Sequence, residues 1–234
     1  MKRFYKLVST TKTPNGYLIL LDGKPVKTKS RRDLLAPTQA MADAIMLEWS
    51  AQGDAIKLAT MPLTQILNTM MGRVSAERAA MQDMVLKYFD TDLLCYRTDQ
   101  PEALAQQQTQ TWDPWLAWFE KRFGFSLTTT TSITALKHPA EAHAALKKFV
   151  INLNDHQFTV LQLVTSLSGS VILAAAFVDQ DISADDLFAA IRIEERYKAV
   201  LYDEEKYGPD PAQHKKDAAT MLDLKAAEAY LAAL

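Results

Sequence analysis

The chain has 234 residues, 48% hydrophobic and 23% charged, a balance that buries a real core and argues against long disorder. Its formal charge of −2 says little, but the single Cys95 excludes an internal disulfide and fits a reducing compartment. The start MKRFYKLVST lacks the apolar region of a secretory signal, and the longest nearly apolar run, Val171–Val178, is too short to cross a bilayer. Charge is unevenly spread: residues 1–32 hold nine Lys or Arg against the one acid Asp22, whereas Asp179–Glu205 holds nine acids against three bases. Such separation can steer a charged partner, draw the two ends of the chain together, or simply coat a solvated surface.

Taken in order, Phe4–Val8, Tyr17–Leu21 and Pro25–Thr28 read as short strands. Pro14-Asn15-Gly16 and Asp22-Gly23 between them supply the positive φ values of tight hairpins. This predicts a small antiparallel meander with Lys24, Lys27, Lys29, Arg31 and Arg32 at its end. No stacking aromatics interleave with these cations, so a nucleic-acid-binding hairpin is the weaker reading. Leu34–Thr38 reads as a helix entry with Thr38 as N-cap, followed by an amphipathic helix that ends at Gly53 and packs Trp49. Pro62 opens the next helix, whose apolar stripe is Leu63, Ile66, Leu67, Met70 and Met71. Gly72 interrupts it, and a further helix from Ser75 runs through Met81, Met84, Val85 and Tyr88.

The stretch Tyr88–Phe119 concentrates three of the four tryptophans and the cysteine. From Pro101 a helix resumes, and Trp112, Trp115 and Phe119 share one of its faces, as core packing requires. Phe125–Ile133 is β-branched and reads as a strand or extended connector. Beyond His138 the pattern is helical: Ala140–Val150, Asp155–Leu167, Ser170–Val178, Ala184 to about Tyr202, and Pro211–Leu234. Gly169-Ser170 separates two of these helices, and Ser183 caps the fourth. The expected class is therefore α+β, mostly α, with an N-terminal β-containing domain over residues 1–60 and a helical domain over 61–234.

Little in this pattern carries chemistry. The histidines His138, His143, His156 and His214 match no zinc spacing, and no glycine-rich phosphate loop exists, so no metal or cofactor is expected. Cys95, flanked by Leu-Leu and Tyr, reads as a buried inert thiol, although a histidine brought to it by the fold would make a nucleophile. A small-molecule enzyme with a pocket near Asp92 and Cys95 is thus the alternative to a binding protein. Asp90 and Asp92 are not a catalytic pair; capping, or an ion pair of Asp92 with Arg97, explains them better. Glu194-Glu195-Arg196-Tyr197 lies on a helix that begins and ends in acids, either a solvated face or an acidic docking edge.

RFYK, GYLILLDGKPVKT, LLAPTQAMADAIMLEWSAQG, MPLTQILNT, YFDTDLLCYR, the segment from Gln108 ending WDPW, SGSVILAAAF and EERY occur in this order along nearly the whole chain. Together they resemble the assembly chaperone family specific for the α subunit of the F-type ATP synthase catalytic head. The resemblance implies a non-enzymatic protein that holds free α subunit, prevents its aggregation and promotes its assembly with β. It implies a monomer, cytoplasmic in bacteria and in the mitochondrial matrix of eukaryotic relatives, without nucleic-acid partner or membrane insertion. It places partner binding at Glu195, with Glu194, Tyr197 and Tyr202 beside it, and makes Asp92, Tyr96, Arg97, Trp112, Asp113 and Trp49 a structural signature. The family pattern Asp-Glu-x-Tyr-Gln followed by Trp-Gly-x-Asp is met by Glu195 and Tyr197, while Lys198, Tyr202 and Asp203 depart from it.

Overall fold

The computed structural model describes residues 1–202, 208 and 210–234. Strand β1 (Val8–Thr13) turns at Asn15 into β2 (Gly16–Leu21), pairing Val8 with Leu21 and Thr13 with Gly16. Asp22 and Gly23 then take φ of 49° and 79°, the two left-handed residues of a tight hairpin, and lead into β3 (Lys24–Pro25). Strand β4 (Leu35–Ala36) returns to pair with Leu18 and Tyr17, giving one four-stranded antiparallel sheet. Gly16 is required at this junction. Its φ is 136°, and a Cβ there would stand 2.5 Å from the Ala36 carbonyl oxygen.

Two expectations around the sheet change. The first strand is Val8–Thr13 rather than Phe4–Val8; the amides of Lys6 and Leu7 are taken by the Asp22 carboxylate at 3.1 and 2.8 Å and are lost to any ladder. Leu35–Ala36 is a strand rather than a helix entry, and the helix begins only after Thr38.

The chain divides into two compact units. One comprises Met1–Arg78, Asp155–Thr159 and Ala226–Leu234; the other comprises Ala79–Asn154 and Val160–Lys225. The first therefore runs past residue 60 and takes in two later segments of the chain. In it, α1 (Gln39–Ser50) packs Met41, Ile45 and Trp49 into the sheet's core, and the Thr38 side chain accepts the Met41 N–H at 3.1 Å. Glu48 reaches from α1 to the start of α2 (Pro62–Thr69), accepting the N–H groups of Leu63 and Thr64 at 2.7 and 2.8 Å. Gly72 does not break the helix; it lies in a wide π turn, Met70–Val74, that continues into α3 (Ser75–Lys87).

In the second unit, α4 (Glu102–Phe123) buries Leu104, Gln108, Trp112 and Phe119, with Trp115 half-buried on the same face. Helix α5 (Ala140–Asn152) buries Ala142, Leu146 and Val150, and α6 (Asp155–Ser168) follows, its residues from Val160 belonging to this unit. All eight residues of α7 (Val171–Val178) are buried, with Ser170 as N-cap. The expected helix from Ala184 to Tyr202 is two helices, α8 (Ala184–Ile191) and α9 (Ile193–Leu201), parted at Arg192 with φ −109° and ψ 13°. Helix α10 (Pro211–Ala232) follows, in this unit as far as Lys225, and Phe125–Ile133 is an extended connector bridged to Tyr96 through Thr130. This is the α+β, mostly helical class expected. Among the described residues no helix is long and apolar enough to cross a membrane.

Candidate functional site

The residues around Asp92 form a closed knot. After α3, a short turn at Phe89–Thr91 brings Asp92 to cap the turn Leu93–Cys95, its Oδ1 accepting the Leu94 N–H at 3.1 Å. Its Oδ2 accepts the Ile172 N–H at 3.1 Å, so the same carboxylate also caps α7, eighty residues later. Burial pushes the Asp92 pKa up to about 6, against the lowering effect of bonds from Ser170, Ile172, Leu94 and Val171. Cys95 beside it is fully buried, and burial followed by the Asp92 charge pushes its thiol up to about 12.

Arg97 does not pair with Asp92. Its Nε donates to the Leu94 carbonyl at 2.7 Å, its guanidinium lies 5.1 Å from the Trp112 ring, and it pairs with Asp113 at 2.8 Å. Trp112 in turn donates its indole N–H to the Ala190 carbonyl at 2.8 Å. Tyr96 donates its hydroxyl to the Asp90 carbonyl at 2.7 Å and accepts the Leu136 N–H at 3.0 Å. Trp49, in the other unit, packs edge-on against Tyr5 at 5.7 Å. These bonds are internal, and they do structural work.

Two of the histidines that a nucleophile would need are engaged near Phe89. His138 and His143 lie 4.7 and 4.8 Å from its ring, and His143 Nε2 is 2.9 Å from Asp90 Oδ1. His156 bonds the Tyr230 hydroxyl through Nδ1 at 2.7 Å. Burial lowers the pKa of both His138 and His156. Among the described residues no group of three or more His, Cys, Asp or Glu is placed to hold a metal.

The surface that faces outward is α9. Arg192 is only 8% exposed in its side chain, and its guanidinium meets Glu195 at 2.9 Å and Asp217 of α10 at 2.9 Å. This clamp fixes Glu195 while leaving its side chain 38% exposed. Glu194 accepts from Gln108 Nε2 at 3.2 Å, and the same Gln108 accepts the Thr98 N–H at 2.8 Å. One turn on, Tyr197, Ile193, Arg196 and Val200 of α9 line a groove of about 360 Å³ with Gln107 and Gln110 of α4. Past it, Val200, Leu201 and Tyr202 are 83%, 65% and 69% exposed. Carboxylates, a groove and bare apolar side chains thus adjoin on one helix, an arrangement suited to holding a protein surface.

The fold brings Glu194, Glu195, Tyr197 and Tyr202 together on or at the end of α9. Asp92, Tyr96, Arg97 and Trp112 belong to the knot, and exposed Asp113 pairs with Arg97 at its edge. The acids Asp203, Glu204 and Glu205 lie outside the described residues. Sequence reading missed Arg192 and Gln108, the two side chains that orient the glutamates. An arginine between isoleucines is a signal that something must neutralise it, whereas Gln108 sits in a run of glutamines with nothing to mark it.

Residues 2–120 match the family described as ATP12 chaperone protein. The mitochondrial protein atp12 of Schizosaccharomyces pombe is 24% identical over 210 residues, spanning 84% of this chain and 72% of the relative. The crystal structure of Atp12 from Paracoccus denitrificans superposes with a TM-score of 0.86 at 31% identity, covering 99% of this chain and 97% of the other. The Atu1473 protein of Agrobacterium tumefaciens gives a TM-score of 0.89 at 32% identity, over 99% and 85% of the two chains.

Proposed function

Since this chain belongs to the ATP12 chaperone protein family, we propose that it is an assembly chaperone of the F-type ATP synthase, binding the free α subunit of the catalytic head through α9. It keeps that subunit from aggregating until β replaces it. Family membership carries this reading, together with the order of sequence blocks that resemble the α-specific chaperones. The chemistry of α9 supports it as the contact. A holding chaperone has to cover an apolar interface and later release it, which calls for a modest apolar centre inside a polar rim rather than a permanent seal. Val200, Leu201 and Tyr202 supply the apolar area, and Glu194 and Glu195 supply the charge that selects the partner.

Glu195 is the residue on which the reading turns. A lysine there would set a second cation against the buried Arg192 and disturb the fold as well as the contact. Glutamine removes the charge, keeps an oxygen for Arg192, and leaves the Asp217 half of the clamp in place. The test is co-expression of an α subunit with the wild-type or Glu195→Gln chain, reading soluble α and its co-purification. Wild type keeps α soluble. The variant, with an unchanged melting temperature, is expected to retain about tenfold less. Equal capture by a folded variant would remove Glu195 from the contact, and no capture by wild type would overturn the α-subunit reading itself.

A further inference from the structure

Arg192 lies between carboxylates of two helices, and it holds them unequally. Its Nη1 meets a single oxygen of Glu195, Oε1, at 2.9 Å. Its Nη2 meets both oxygens of Asp217, at 2.9 and 3.1 Å, and Asp217 Oδ1 also accepts the Gln213 Nε2 amide at 2.6 Å. Gln213 stands one turn before Asp217 on α10, the spacing at which two side chains of a helix meet. A guanidinium is planar and rigid, so anchoring Nη2 also sets the direction of Nη1. Arg192 has little else to steer it: its Nε is shielded from water and has no acceptor among the described residues. Glu195, by contrast, is half-buried, and its Oε2 has no partner among the described residues.

We propose that Asp217 and Gln213 are positioning residues for Glu195. They lock the plane of Arg192, Arg192 holds Glu195 by Oε1, and Oε2 is left for the client. Helix α10 thereby becomes a determinant of capture through residues that do not themselves touch the client. The inference rests on the reading that Glu195 is a client contact; the geometry of the clamp does not. The relay acts on one of the two glutamates, because Glu194 is held separately by Gln108 of α4 at 3.2 Å. The other cations of α9 do not stand in for Arg192, since neither Arg196 nor Lys198 pairs with Glu195 among the described residues.

The test pairs capture of co-expressed α subunit with a measurement that needs no α subunit. In the full chain carrying ¹³C-labelled glutamate, the two γ protons of Glu195 are identified by their loss in Glu195→Gln. A held side chain keeps their shifts apart, and a freely rotating one averages them. Asp217→Asn is expected to merge the pair and to retain about tenfold less α at an unchanged melting temperature. In an Arg192→Met background, which leaves Glu195 and Asp217 in contact with water, the same change should lower capture no further. Gln213→Leu keeps every charge in place and should move both readouts the same way, capture by about threefold, which decides the matter if Asp217→Asn melts early. Three results would overturn the proposal: γ protons that stay apart in Asp217→Asn, capture equal to that of a working wild type, or an equal loss in the Arg192→Met background, which would make Asp217 a contact in its own right. Failure of wild type to capture α sinks the chaperone reading alone, and the γ protons then decide the clamp.

Discussion

Burial holds the Asp92 carboxyl near pKa 6 while the unfolded residue titrates near 3.8, so the folded state favours the protonated form. The stability this residue contributes is fully present below about pH 4 and is lost as pH rises through about 6, a swing of roughly 3 kcal/mol for two pKa units. Urea unfolding of wild type and Asp92→Asn between pH 4 and 7.5 checks this. The advantage of wild type over the variant should shrink as pH rises and then stay flat. Sequence left Asp92 as a cap or as the partner of Arg97, and it is a cap. Its second partner, Ile172, could not be read from sequence, since a bond across eighty residues leaves no local periodicity. Cys95 next to it should resist alkylation in the native state and react only on unfolding, because its thiol is buried and pushed up to about 12. Fast labelling of the folded chain would contradict the geometry of this knot.

Elements were legible where local chemistry decides them. The Asp22-Gly23 turn, the Thr38 and Ser183 caps and the fully apolar α7 were all visible as residue patterns. Elements set by distant partners were not. Strand β4 has only Leu35 and Ala36, too short to alternate, and exists because β2 offers them a free edge. The break between α8 and α9 follows from Arg192, which turns into a buried position between two carboxylates instead of continuing a surface helix. Gly16→Ala should destabilise the protein by about 2 kcal/mol or more, because it combines a strained φ with a clash against backbone. Trp112→Ala should cost about 3–5 kcal/mol, since it empties a buried site and orphans the Ala190 carbonyl. Chemical denaturation reads both, and a loss under 1 kcal/mol for either would mean that the junction relaxes around the change.

At the scale of the molecule, the acidic end and the basic end seen in the sequence become two surfaces built on different elements. One is α9 with its clamped glutamate, and the other is a cleft lined by Lys24, Lys27 and Trp49. They share no lining residue. Linear reading placed a domain boundary at residue 60, but the sheet-bearing unit also contains Asp155–Thr159 and Ala226–Leu234. These later segments are bound in by the Thr38 hydroxyl on the Ala233 carbonyl and by His156 on Tyr230. On the ribosome, Thr38 and His156 therefore emerge before the residues they bond. A chain released before Ala226 would lack the Tyr230 and Ala233 partners of His156 and Thr38.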